Sequence, residues 1–198
     1  METIQDITGV VLAGGQSKRF GSNKALALLQ GMPLIQHVVD TAAAIFKDCL
    51  LVTNTPEHYG FLNMPMIRDQ YQGMGPLAGI HAALLHTGKP WIFVMGCDMP
   101  AVTPDLITFL CGFAREEYDA VIPWLETGAE PLCGLYHKTA LDKIEPQLRF
   151  NKRQVKELLE KLSVRKVTEE ELQSVTGGLQ VFSNVNREQD LVRVPRAK

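Results

Sequence analysis

At 198 residues and 22.0 kDa the chain has the length of one domain with a proper core, and a single domain over 1–198 is expected. A net charge of −2 without a long basic block gives no reason to expect nucleic acid as a partner. No apolar run nears the roughly 20 residues of a membrane span. The polar start METIQDIT is not a secretory leader, and the scattered Cys49, Cys97, Cys111 and Cys133 make no CxxC pair. Buried thiols in a reducing cytoplasm are expected, not zinc or a disulfide frame.

The first element is an apolar run, Val10 to Ala13, with the character of a buried parallel strand. It runs into Gly14-Gly15 and a loop carrying Ser17, Lys18, Arg19, Gly21 and Lys24. Paired glycines let backbone N–H groups approach an anion, and clustered cations suit a polyphosphate. The loop is not a Walker A loop, because Ser22 and Asn23 separate Gly21 from Lys24. Nor is it a dinucleotide fingerprint, since its first glycines are adjacent.

Pro33 then opens a helix to about Lys47, with Ile35, Val38, Val39, Ala42 and Ile45 on one face. Strands are expected at Cys49–Asn54 and Met66–Arg68, a helix at Leu77–His86, and an apolar strand at Trp91–Met95. Thr103-Pro104 starts a helix ending near Glu117. Strands Asp119–Trp124 and Pro131–His137 follow. Next come a helix Thr139–Glu145 stopped by Pro146, a helix Lys152–Leu162, a strand Val164–Val167, and a last strand near Leu179–Ser183. Alternating strands and helices imply a three-layer α/β/α, Rossmann-like fold with a mostly parallel sheet and right-handed crossovers.

Ligands of such sheets sit beyond the carboxyl ends of the strands. The glycine loop, Asn54, Asp69 and Asp98 all fall there. Asp98, just past a buried strand, suits a hard cation such as Mg²⁺, which takes one or two carboxylates plus phosphate oxygens; the other reading is a turn cap before Met99-Pro100. Lys24 and Arg19 are the cations for a phosphate chain, though Arg19 also reads as a surface ion-pair partner. Lys18 reads as a solvated charge. Asn54 and Asp69 read either as ligands of a base or as strand-end turn residues. In the basic run after Lys152, only Arg153 is retained as a substrate candidate; the rest reads as a solvated helix face. The five histidines have no ligand spacing, and Trp91 and Trp124 read as core or pocket wall.

The stretch LAGGQSKRFGSNK, with GPLAGI at Gly75–Ile80, CDMP at Cys97–Pro100 and FSNVN at Phe182–Asn186, resembles the molybdenum cofactor guanylyltransferases (the MobA family). Asn23 departs from the Asp that many relatives carry before the lysine. After FSNVN the chain continues Arg187-Glu188 where relatives continue Thr-Pro. The resemblance implies transfer of GMP from Mg-bound GTP to the terminal phosphate of molybdenum-molybdopterin. In that reading Leu12, Ala13, Gly14 and Gly15 supply backbone, Asn54 and Asp69 help to read guanine, and Lys24 binds phosphate. Asp98 holds the metal, and Asn184 and Asn186, taken as alternate positions of a strand, help to close the site. Expected partners are GTP, the pterin, molybdoenzyme apo-proteins and other cofactor-biosynthesis proteins. Other readings remain: the same fold acting on CTP or a sugar phosphate, or a non-catalytic module that delivers cofactor.

Overall fold

Side chains alternate along a strand, so Val10 and Leu12 enter one apolar layer while Val11 and Ala13 enter another. Both faces of the strand must therefore be covered, and helices cover them. The computed structural model describes residues 3–14 and 23–193. In chain order these hold β1 (Ile4–Leu12), a small hairpin of β2 (Leu28–Leu29) and β3 (Met32–Pro33), α1 (Leu34–Ile45), β4 (Phe46–Val52) and β5 (Met66–Ile67). Then come α2 (Pro76–His86), β6 (Trp91–Gly96), α3 (Pro104–Cys111), β7 (Ala120–Leu125), β8 (Gly128–Ala129) and β9 (Cys133–His137). The chain continues with α4 (Leu141–Arg149), α5 (Val155–Leu159), β10 (Val164–Thr168) and α6 (Glu169–Thr176).

The main sheet has the order β10-β7-β9-β6-β1-β4-β5, with β8 paired to β7. Only β8 and β9 run against the others among the paired strands. Helices α1, α3 and α6 pack on one face, through Ile35, Ile107 and Leu172 among others; α2, α4 and α5 pack on the other, through Leu77, Ile144 and Leu158. This is the expected three-layer, mostly parallel architecture. Burying one such leucine contributes about 1.5–3 kcal/mol, so each face is held by many modest increments. Among the described residues no helix is long and apolar enough to cross a membrane.

Several boundaries differ from expectation. Helix α4 passes through Pro146 instead of stopping before it. Proline removes the hydrogen bond to the carbonyl four residues back; that residue, Asp142, is exposed, so water can take its carbonyl. Helix α3 ends at Cys111, six residues early, and α5 is shorter at both ends than 152–162. Helix α6 was not anticipated, although Thr168 and Glu171 form a capping box at its start. The segment expected as a last strand is a 3-10 turn, Leu179–Phe182, that buries Val181 and Phe182 against the α1 layer.

One buried group makes the fold sensitive to acid. His81 on α2 is 2% exposed, and neither ring nitrogen has a hydrogen-bond partner in the protein. Burial holds its pKa below the ordinary 6.5, with a smaller opposing pull from Glu145. The unfolded chain takes up this proton near pH 6.5 while the folded chain resists it. Stability is therefore full above about pH 6.5 and is lost as the pH falls toward the folded pKa. His81→Leu should flatten the fall of Tm between about pH 6.5 and 5. Parallel Tm curves for variant and wild type would show that other groups set the acid limit.

Candidate active site

The carboxyl ends of β6, β1, β4 and β5 lie side by side, which sets Asp98, Gly14, Asn54 and Asp69 along one rim. Three strand spacings separate the first from the last, roughly 15 Å, the scale of an extended nucleotide. A cleft of about 1330 Å³ follows this rim and is lined by all four residues together with Lys24.

Lys24 Nζ lies 2.7 Å from Asp98 Oδ2, with about a fifth of each side chain exposed. Two local features hold this pair. Asn23 caps the 3-10 turn Lys24–Leu26: its Oδ1 accepts from Ala25 N at 3.2 Å, and its Nδ2 donates to the Tyr59 hydroxyl at 3.0 Å. Thus the residue that departs from the family pattern shapes the turn that carries the lysine. Gly96 allows the other approach, because a Cβ there would lie 2.6 Å from Asp98 Oδ1. Cys97, between them, is not a nucleophile: burial first, then the Asp98 charge, pushes its thiol up to about 12.

At the other end, Asn54 Nδ2 donates to Asp69 Oδ2 at 2.7 Å and Asn54 Oδ1 accepts from Asp69 N at 3.2 Å. The amide thereby fixes the carboxylate. Its second oxygen, Oδ1, is buried without a hydrogen-bond partner in the protein. A buried, unsatisfied acceptor is costly, about 1–3 kcal/mol, unless a ligand donor satisfies it. The following turn has Gly73 and Gly75 at φ 75° and 69°, which brings it back to the start of α2.

The backbone expectations need correction. The Ala13 N–H donates to Val52 O at 2.9 Å, and the Leu12 carbonyl already accepts from Cys97 N at 3.2 Å. Both residues line the cleft but remain in the sheet's hydrogen-bond register, so the Ala13 N–H is not available to a base. At Gly14 a Cβ would meet no atom of the described residues within 4 Å beyond its chain neighbours, which leaves room for a ligand on that side. Arg19 and Gly15, with Ser17, Lys18 and Gly21, lie outside the described residues.

Asn184 and Asn186 are not on a strand. Val185 N donates to the Asp98 carbonyl at 2.9 Å, and its side chain is buried with Leu29 and Leu34. That anchor brings Asn186 Oδ1 to 3.5 Å from Lys24 Nζ; Asn184 is exposed and makes no such contact. Arg153 does reach the cleft, along with Tyr59, Thr53 and Gln72, which the sequence did not single out. Tyr59 had a readable signal only in retrospect, as the partner of Asn23.

The donor set suits a hard divalent cation. Among the described residues no three His, Cys, Asp or Glu side chains converge as a metal cage. One accessible carboxylate, Asp98, with the Asn186 amide oxygen beside the same lysine, fits an ion that keeps water and phosphate oxygens. It does not fit zinc, which would take several nitrogen or sulfur ligands.

Residues 9–173 match the family of the MobA-like NTP transferase domain. The molybdenum cofactor guanylyltransferase of Desulfosudis oleivorans is 35% identical over 96% of this chain and 95% of its own. A probable molybdenum cofactor guanylyltransferase of Carboxydothermus hydrogenoformans is 35% identical over 94% of each chain. The crystal structure of molybdopterin-guanine dinucleotide biosynthesis protein A from Archaeoglobus fulgidus superposes with a TM-score of 0.84 at 31% identity, covering 94% of this chain and 96% of that one. A nucleotidyl transferase from Methanothermobacter, 18% identical with a TM-score of 0.73, shares the fold. Nucleotidyltransferases of this kind generally use a divalent metal. The chain belongs to the MobA-like NTP transferase family.

Proposed function

We propose that this protein transfers GMP from Mg²⁺-bound GTP to the terminal phosphate of molybdenum-molybdopterin, releasing pyrophosphate and forming the guanine dinucleotide cofactor. The observation that carries the reading is the spacing of two prepared groups along one cleft: the Lys24–Asp98 pair at one end and the unsatisfied Asp69 oxygen at the other. The first suits a metal-bound triphosphate and the second suits the N1–H and N2–H donors of guanine. The acceptor follows from the names of the full-length relatives.

In this reading an oxygen of the acceptor phosphate attacks the α-phosphorus, a new P–O bond forms, and the bridging α–β P–O bond breaks. Its electrons leave with pyrophosphate. The attacking oxygen is already anionic, so no general base is required. Lys24, with Arg19 from the glycine loop, stabilises the charge that grows on the leaving group. Asp98 and Asn186 would hold Mg²⁺, and the ion would supply neutralisation of phosphate charge there. Gly14, Leu12 and Ala13 form the floor under the nucleotide, the role of Gly15 being backbone binding of phosphate; Asn54 fixes Asp69, and Asn186 closes the phosphate side, with Asn184 reaching it only once a nucleotide is bound. Arg153 faces the acceptor.

Residues 1–198 act here as one nucleotidyltransferase domain, since a single sheet supports every proposed role. The setting is the cytoplasm, beside other cofactor-biosynthesis proteins and the molybdoenzyme apo-proteins that take up the product, with neither nucleic acid nor membrane as partner. Pyrophosphate release should require Mg²⁺, GTP and molybdopterin together. Release with CTP, or with GTP and a sugar phosphate in place of the pterin, would keep the phosphate site and overturn the substrates.

A further inference from the structure

The segment from Asp69 to Gly75 lines the cleft with Asp69, Gln72, Gly73 and Gly75, yet it has little regular structure of its own. Asn54 fixes its first residue and Met74 is buried in the core, and between them the segment is anchored by Tyr71. The Tyr71 ring stands edge-on to the buried His81 ring of α2, with centroids 5.3 Å apart at 78°. It packs against the apolar layer that includes Leu77 and Leu148. Its carbonyl accepts from Met74 N at 3.1 Å, closing the turn. The Arg149 guanidinium of α4 pairs with the Glu145 carboxylate at 2.6 Å and lies near enough to Tyr71 for the two to interact electrostatically. Tyr71 thus ties the turn to two helices, two residues after the carboxylate whose free oxygen faces no protein donor.

We propose that Tyr71 is a positioning residue for base selection: anchored on α2 and α4, it holds the 69–75 segment so that Asp69 Oδ1 meets the exocyclic amino group of guanine. This rests on the guanine reading above and adds how that selectivity is maintained. Tyr71 touches no nucleotide in this arrangement; it acts through Asp69. Its loss would leave the phosphate end, on other loops, unaffected. Asn54 holds Asp69 from the β4 side, but the turn glycines that follow, at positive φ, add no stiffness of their own.

The test compares equilibrium binding of GTP and ITP, which lacks the 2-amino group, in the absence of acceptor. In wild type GTP should bind more tightly. Tyr71→Leu should narrow the GTP-to-ITP affinity ratio by about tenfold, mostly by weakening GTP. Tyr71→Phe, which keeps the ring edge on His81 and removes the hydroxyl that interacts with the Arg149 charge, should narrow it by about twofold to threefold. The acceptor KM should stay within about twofold of wild type in both, since the phosphate and acceptor ends are not touched. A purely structural role would lower Tm and leave the ratio alone. If Tyr71→Leu does not fold, the Phe variant decides: an unchanged ratio overturns the proposal. If wild type itself fails to prefer GTP over ITP and CTP, the guanine reading fails, which is a separate result from variants that retain a wild-type preference.

Discussion

Asp98→Asn is expected to lower kcat for pyrophosphate release by about a thousandfold. Asparagine keeps the shape, so Gly96 still accommodates it and the Lys24 contact can persist through the amide oxygen. What disappears is the negative charge proposed to draw a divalent ion to the end of β6, and no cage of carboxylates stands behind it among the described residues. The fold should tolerate the change. Both partners of the Lys24–Asp98 pair are partly exposed, and a loss of about 1 kcal/mol corresponds to a Tm shift of only about 2–4 °C at this chain length. Raising Mg²⁺ should recover part of the rate, because a weakened ligand is offset by mass action. A fully active Asp98→Asn protein, or a rate insensitive to Mg²⁺, would remove Asp98 from the metal.

The cleft's location is legible because it depends on the simplest pattern in the chain. Continuous apolar runs such as Trp91–Met95 mark strands buried on both faces, and their carboxyl ends locate a cleft without any knowledge of side-chain contacts. Asn54, Asp69 and Asp98 follow from that pattern and Lys24 from the cations of the glycine loop after β1, and all four line the cleft. The misreadings have a common physical cause: short-range signals that tertiary contacts override. FSNVN alternates like a strand, yet Val185 is held by the Asp98 carbonyl and by Leu29 and Leu34, and this long-range anchor separates the two asparagines. Pro146 normally ends a helix, yet exposure of Asp142 makes the lost bond tolerable. Helix α6 was missed because its Glu-rich first turn reads as polar loop unless the capping box is noticed. Tyr59 and Tyr71 could not have been found from spacing, since each matters through a partner that is 36 or 10 positions away.

Lys24→Met should reduce kcat by a further test of the same end of the cleft, by about a hundredfold to a thousandfold, with the GTP-to-ITP affinity ratio unchanged. The first expectation follows from charge. Lys24 Nζ is a fixed cation held at 2.7 Å from Asp98, with Asn186 Oδ1 at 3.5 Å, so it is positioned before any phosphate arrives. The second follows from distance, because Asp69 sits three strands away and is fixed by Asn54. Lys24→Arg should not restore the rate fully: a planar fork cannot replace a compact ammonium in a turn capped by Asn23. The decisive comparison is the double variant with Asp98→Asn. Groups in direct contact that serve one transition state lose less together than the product of their separate losses. Rate losses that multiply without interaction would mean that the lysine and the aspartate act on different parts of the reaction, and that their contact is a resting ion pair with no part in the transition state.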